Sequence, residues 1–179
     1  MECVKDAVGA VRVEIEALLS MGVANSQMEG ARIRVASGNF VIAQPVGVVD
    51  GVDNMYSGQV RRVDVEGIRQ RLDSGAIVLL SPLGCSITGE AFNVGSQEVA
   101  AAAAAELKAD KLICVIEGRG LVGADRKVVS ELAPEEAEKL VHRRKKSMDG
   151  DLGLALSASA AAVRKGVRRA HVVGHGIDG

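Results

Sequence analysis

Several stretches of this chain carry residue types that could do chemistry. The segment Ser81-Pro-Leu-Gly84-Cys85-Ser86-Ile-Thr88-Gly89 sets two glycines, a thiol and small hydroxyls directly after an apolar run. Open α/β sheets bind ligands in this place, beyond the carboxyl end of a strand. Backbone amides and hydroxyls there can hold a carboxylate or a phosphate, and the same composition also makes a tight connection rich in turn formers. Asn93, just ahead of an alanine-rich segment, offers its amide either to a ligand or to nearby backbone as a cap.

Gly118, Gly120 and Gly123 have the dinucleotide-binding spacing. That chemistry needs the third glycine inside a helix whose N-terminus faces the pyrophosphate. Helix signals resume only at Pro134, so the segment reads as a loop. Ser86, His142 and His171 lack the nucleophile elbow of a hydrolase. His171 stands in an apolar run, where a histidine is by default a satisfied core residue. Cys3, Cys85 and Cys114 are odd in number and far apart, with no Cys-x-x-Cys pair. A disulfide framework and a zinc site are not expected, and a reducing compartment is.

The elements that must position these groups follow from periodicity. Val4, Val8, Val11, Ile15 and Leu18–Leu19 recur at helical spacing and predict a helix over 4–19. Short strands are expected at 32–35 and 40–43, an irregular Gly- and Asp-rich surface over 47–58, and a minor strand at 59–63. A helix over 65–72 ends at Ser74-Gly75. Ala76–Leu80 and Lys111–Ile116 are continuous apolar runs, as in strands buried on both faces. Between them a helix over 97–108 is kept thin by six alanines, so that it can lie close to a sheet. A small hairpin is expected where Gly118–Lys127 closes on Val128-Val129. Pro134 with Glu135-Glu136 opens another helix running to about His142, and the basic run from His142 to Lys146 reads as its solvated end. A helix over 152–164 closes at Gly166, and a last strand covers 169–173. Strands alternating with helices over short links indicate a mainly parallel sheet between helical layers, in one domain.

Composition narrows the function classes. Of 179 residues, 47% are apolar and 25% charged, with a formal net charge of −1, so no field draws nucleic acid or an anionic membrane. Phe40, Tyr56 and Phe92 are the only aromatics, too few to stack single-stranded nucleic acid. No apolar stretch reaches the roughly 18 residues of a membrane span. The N-terminus lacks a signal-peptide profile and enters a helix at once, as a chain starting mid-domain would.

Specific motifs carry a family resemblance. Val35-Ala-Ser-Gly-Asn-Phe40-Val-Ile-Ala-Gln-Pro45 with Gly47-Val-Val-Asp-Gly51-Val-Asp53 resembles the kinase-like domain of N-acetylglutamate synthases. So do Arg69-Gln-Arg-Leu-Asp-Ser-Gly75-Ala-Ile-Val-Leu79, Thr88-Gly-Glu-Ala-Phe-Asn93 and Lys108-Ala-Asp-Lys-Leu112. The resemblance spans essentially the whole chain. It implies an α/β fold like that of acetylglutamate kinase, a three-layer α/β/α sandwich over residues 1–179, incomplete at both ends.

It also implies a parent acyltransferase that moves acetyl from acetyl-CoA to L-glutamate in the first step of arginine biosynthesis. This part would bind L-arginine as feedback inhibitor and form homo-oligomers in a bacterial cytoplasm or a plastid stroma. It would hold no cofactor or metal and carry no catalytic residue. His171 matches the histidine of the arginine site, whose acidic partner would stand on a helix after Gly179. Gly84 and Asn93 would be what remains of an acylamino-acid pocket.

The alternative is a true acetylglutamate kinase that phosphorylates N-acetylglutamate with ATP. Kinases place a catalytic Asp four residues after the binding Asn, where this chain has Gln97, and a phosphoryl-binding lysine where, counting back from His171, it has Ala155. Phosphoryl transfer depends on such charges. A third option is a small-molecule-binding domain without an arginine role.

Overall fold

The valine spacing at the N-terminus forms helix α1 (Glu2–Met21). The computed structural model of the chain describes residues 1–21, 30, 33–118, 120–123, 126–143 and 150–175. The chain divides into two compact units, Met1–Val99 and Ala100–Gly179.

In the first unit, β1 (Val35–Ser37) starts later than the expected strand over 32–35, of which residue 32 lies outside the described residues. β2 (Val41–Pro45) follows a bend at Gly38-Asn39. The stretch expected to be irregular contains a hairpin, β3 (Val48–Val49) and β4 (Val52–Asp53), turning at Asp50 (φ 51°) and Gly51 (φ 79°). Two successive positive φ values are what a tight hairpin of this twist requires, and Asp-Gly supplies them.

β5 (Gly58–Val63) returns antiparallel along β2, with a register shift at Ile42/Ala43. Helix α2 (Val65–Asp73) is capped by Asp64, whose Oδ1 accepts the Gly67 N–H at 3.0 Å, and it ends at Ser74 before Gly75 (φ 77°). β6 (Ile77–Leu79) then lies parallel to β1. β7 (Leu83–Cys85) and β8 (Ala91–Asn93) form a second hairpin that completes a four-stranded sheet in the order β5-β2-β7-β8. Val41, Ala43, Phe92, Val94 and Val99 make its core. α1 contributes no buried residue, and Val8, Val11 and Ile15 face Leu79, Leu80 and Pro82 across an apolar groove.

The division between the units falls within helix α3 (Ser96–Leu107), which stops at Lys108 (φ 56°). In the second unit come β9 (Lys111–Ile116), α4 (Pro134–Arg143), α5 (Asp151–Arg164) and β10 (Arg169–Gly174). β10 runs parallel to β9, with His171 opposite Ile113. The expected small hairpin is present, as Val122 bridges Val128 and the Val129 N–H donates to the Leu121 carbonyl at 2.8 Å. Residues 144–146 of the basic run lie outside the described residues.

Leu112, Cys114 and Ile116 pack against Ala101 and Ala104 of α3 and against Ala155, Ala158 and Ala162 of α5. Alanine keeps helix and strand close enough for these branched side chains to leave little void. Arg164 ties α5 to α4 through Glu138 at 2.9 Å, an exposed pair that adds little stability.

The expectation of strands buried on both faces is not met. Along β9, Leu112, Cys114 and Ile116 are buried while Lys111, Ile113 and Val115 are exposed, and Ile77 of β6 is exposed too. Helical cover in this unit lies on one face of the β9–β10 pair, and an apolar run cannot by itself report which face is covered.

Candidate functional site

His171 is not a core residue. The alternation of β10 buries Gly174, half-buries Ala170 and Val172, and turns His171 outward. Residues 170–173 of β10, His171 among them, border a cavity of about 340 Å³ within the second unit. Leu121, the segment 128–132, α4, α5 and β10 border this partly open space, whose walls are mostly aliphatic (Leu121, Val129, Leu156, Val173). Ser130, Glu131, Ser159 and His171 bring the polar groups. Ser159 is buried, with Oγ 3.8 Å from the Cys114 sulfur, a weak partner.

Gly84 and Asn93 come together on the β7–β8 ladder of the first unit, where Gly84 pairs with Phe92 and Asn93 with Leu83. The Asn93 N–H donates to the Tyr56 carbonyl at 2.9 Å, and its side chain is exposed at the end of the strand. Gly84 is buried against Val41 and Ala43, close enough that its lack of a side chain is a packing requirement.

The hydroxyls of the neighbouring loop are used within it. Ser86 Oγ accepts the N–H groups of Glu90 (3.1 Å) and Thr88 (3.3 Å) and lies 2.7 Å from Thr88 Oγ1. Thr88 Oγ1 donates to Glu90 Oε2 at 3.2 Å. These bonds hold the turn that joins β7 to β8, with the Glu90 carboxylate accepting from Thr88.

The kinase-type charges are missing from the structure as from the sequence. Gln97 sits in the first turn of α3, accepting from Ser96 Oγ at 3.0 Å. Ala155 has no exposed surface and belongs to the core. That position faces the sheet, so a phosphate-binding lysine would not reach a ligand from it. The outward residue on this turn of α5 is Leu154, 58% exposed, and it carries no charge either.

The Gly118-x-Gly120-x-x-Gly123 stretch forms the hairpin approach, and among the described residues no helix begins after its third glycine until Pro134. Among the described residues no three His, Cys, Asp or Glu side chains converge on a metal position, and no helix is long and apolar enough to cross a membrane. Cys3, Cys85 and Cys114 are free thiols.

Residues 1–174 match the amino acid kinase family. The chain is 50% identical over 179 residues to an amino-acid acetyltransferase of Pseudomonas putida, covering all of this chain and 41% of the relative. It is 49% identical over 178 residues to an amino-acid acetyltransferase of Aeromonas salmonicida, covering 98% of this chain and 40% of the relative. The crystal structure of N-acetylglutamate synthase from Neisseria gonorrhoeae complexed with coenzyme A and L-arginine superposes with a TM-score of 0.84 at 31% identity, covering 97% of this chain and 40% of that one. The chain thus spans about two fifths of the length of the relatives it matches. With parallel strand pairs, an alanine-lined helical core and this match over residues 1–174, the chain has the amino-acid kinase fold and belongs to the amino acid kinase family.

Proposed function

We propose that this chain is the kinase-like, arginine-sensing and oligomerising part of an N-acetylglutamate synthase. Such a parent moves the acetyl group of acetyl-CoA to L-glutamate. The observation that carries this reading is the near 50% identity to amino-acid acetyltransferases, sustained from one end of the chain to the other. Acetyl transfer we assign to the part of such proteins outside the segment matched by these 179 residues, and to the matched segment itself no catalytic residue. Its ligand is L-arginine, held beside His171, and its further partners are copies of itself. Gly84 and Asn93 mark a degenerate acylamino-acid pocket. The bacterial sources of the relatives favour a bacterial cytoplasm as its location.

The kinase reading fares worse on chemistry. Holding a transferring phosphoryl group takes positioned cations and a carboxylate to organise them. Gln97, Ala155 and Leu154 supply none of these.

A chimera tests the proposal. Residues 1–179 replace the corresponding segment of the Pseudomonas putida acetyltransferase, and acetyl transfer to glutamate is measured with and without L-arginine. The expected chimera transfers acetyl and is inhibited by arginine. A chimera that transfers acetyl yet ignores arginine removes the sensing role. Formation of ADP by the 179-residue chain from ATP and N-acetylglutamate would restore the kinase reading.

A further inference from the structure

We propose that Asp50, at the turn of the β3–β4 hairpin, is a site of spontaneous covalent modification, where its side chain and the Gly51 amide close a succinimide that reopens to isoaspartate. The inference stands apart from any ligand the chain binds.

Three features coincide at this turn. First, Asp50-Gly51 is the one Asp-Gly pair among the described residues, and both residues are exposed. Second, neither the Asp50 carboxylate nor the Gly51 N–H makes a hydrogen bond or ion pair among the described residues. The electrophilic carbon and the attacking nitrogen are both uncommitted. Third, a Cβ built on Gly51 would meet no atom within 4 Å, so the approach to its amide is open.

Other aspartates of loops and caps are restrained. Asp53, in the same hairpin, accepts the Met55 N–H on Oδ1 at 2.9 Å, and the following Asn54 N–H donates to the Gly47 carbonyl at 3.1 Å. Asp64 caps Gly67 at 3.0 Å and precedes a β-branched valine. After Asp73, the Ser74 N–H is held by the Gln70 carbonyl.

The chemistry needs no co-reactant but water. The Gly51 nitrogen bonds to Asp50 Cγ, and the carboxyl hydroxyl leaves with the amide proton as water. Water then adds back to the five-membered ring. Addition at Cγ restores aspartate. Addition at the Asp50 main-chain carbonyl breaks its bond to nitrogen, leaving the chain running through the side chain and a free α-carboxylate.

The hairpin both permits this step and bears its cost. Strands of two residues are marginal in water and open locally, which gives Asp50 the freedom to reach the ring geometry. Isoaspartate adds a main-chain atom to a two-residue turn whose closure depends on backbone match, so the pairs Val48–Asp53 and Val49–Val52 should be lost. The base of the hairpin is held separately, since Asn54 Nδ2 donates to the Gly47 carbonyl at 3.0 Å and the Val46 N–H to the Ser57 carbonyl at 2.9 Å. Damage should therefore stop short of the four-stranded sheet.

Ageing the 179-residue chain and its Asp50→Asn variant in warm neutral buffer tests this. Peptide mass spectrometry with fragmentation that distinguishes isoaspartate follows each site, and methylation by an isoaspartyl O-methyltransferase with labelled S-adenosylmethionine counts the product. Isoaspartate should build up at Asp50 roughly an order of magnitude faster than at Asp53. Asn-Gly suits the same turn, so Asp50→Asn should fold alike and form the same product faster, releasing ammonia, because an amide is a better electrophile than a carboxylate. The aged wild-type chain should keep its melting temperature while losing amide-exchange protection at Val49 and Val52. Equal rates at Asp50 and Asp53 would overturn the proposal, as would isoaspartate that forms at Asp50 only after unfolding in urea.

Discussion

A Cβ placed on Gly84 would stand 2.6 Å from the Cβ of Ala43 and 3.2 Å from Cγ1 of Val41. Strands β7 and β2 are neighbours in the four-stranded sheet, and their close approach is possible because one of them lacks a side chain at this point. Gly84 therefore has a packing role whether or not a ligand ever visits the loop beyond it. Gly84→Ala should destabilise the chain by about 1–3 kcal/mol, the usual cost of adding a methyl group to a filled core. Urea denaturation reads this directly. An unchanged midpoint would show that the strands separate freely and that glycine is kept here for some other reason.

Ala155 and Leu154 are adjacent on α5 but face opposite ways, one wholly buried and the other 58% exposed. Ala155→Lys would drive a charged amine into the cluster of Leu112, Cys114 and Ile116, combining overpacking with burial of an unpaired charge. It should fail to fold or melt far below the parent. Leu154→Lys should fold with stability within about 0.5 kcal/mol of the parent, as surface changes do. Neither should form ADP from ATP and N-acetylglutamate, even together with Gln97→Asp. A well-folded Ala155→Lys chain would mean that the helix can rotate, and the assignment of its inner face would be wrong.

The three thiols should separate by reaction rate. Cys3 is exposed on α1, Cys85 is half-buried on β7, and Cys114 is buried beneath α5. A thiolate must meet the reagent, so burial protects. Under native conditions a maleimide should label Cys3 first and Cys114 only on unfolding, which peptide mass spectrometry with time would show. Early labelling of Cys114 would indicate that α5 opens readily from the sheet.

How far the sequence foretold this molecule depended on how local the signals were. α2, α4 and α5 were legible because Ser74-Gly75, Pro134 and Gly166 mark their ends chemically. The two hairpins in the first unit were harder. Asp50-Gly51 is a strong turn signal, yet its flanking strands are two residues each and lie in a Gly- and Asp-rich stretch. β7 and β8 are three residues each, joined by a turn whose hydroxyls look equally suited to an anion until their partners are known. Burial was the least legible property. Val115 and Ile113 read as core residues by type, but only helices placed on one face decide which of β9's residues are covered. The cavity that His171 borders gathers residues 121–173 of the chain through tertiary folding alone.

His171 provides the sharpest discrimination, because its two readings predict opposite results for one substitution. A core histidine contributes packing and satisfied hydrogen bonds, so His171→Ala would lower the melting temperature and leave arginine inhibition unchanged in the surviving protein. A residue on the outward face of β10, lining a cavity and free of hydrogen bonds among the described residues, contributes little to stability. His171→Ala should then move stability by no more than about 0.5 kcal/mol. If the imidazole receives a hydrogen bond from a guanidinium or walls its stem, arginine should bind roughly ten- to a hundredfold more weakly. In the acetyltransferase chimera, the arginine inhibition curve should shift to higher concentration by the same factor while acetyl transfer without arginine stays intact. Measuring inhibition and melting on one preparation decides between them: an unshifted curve with a depressed melting point returns His171 to the core and removes it from the ligand site.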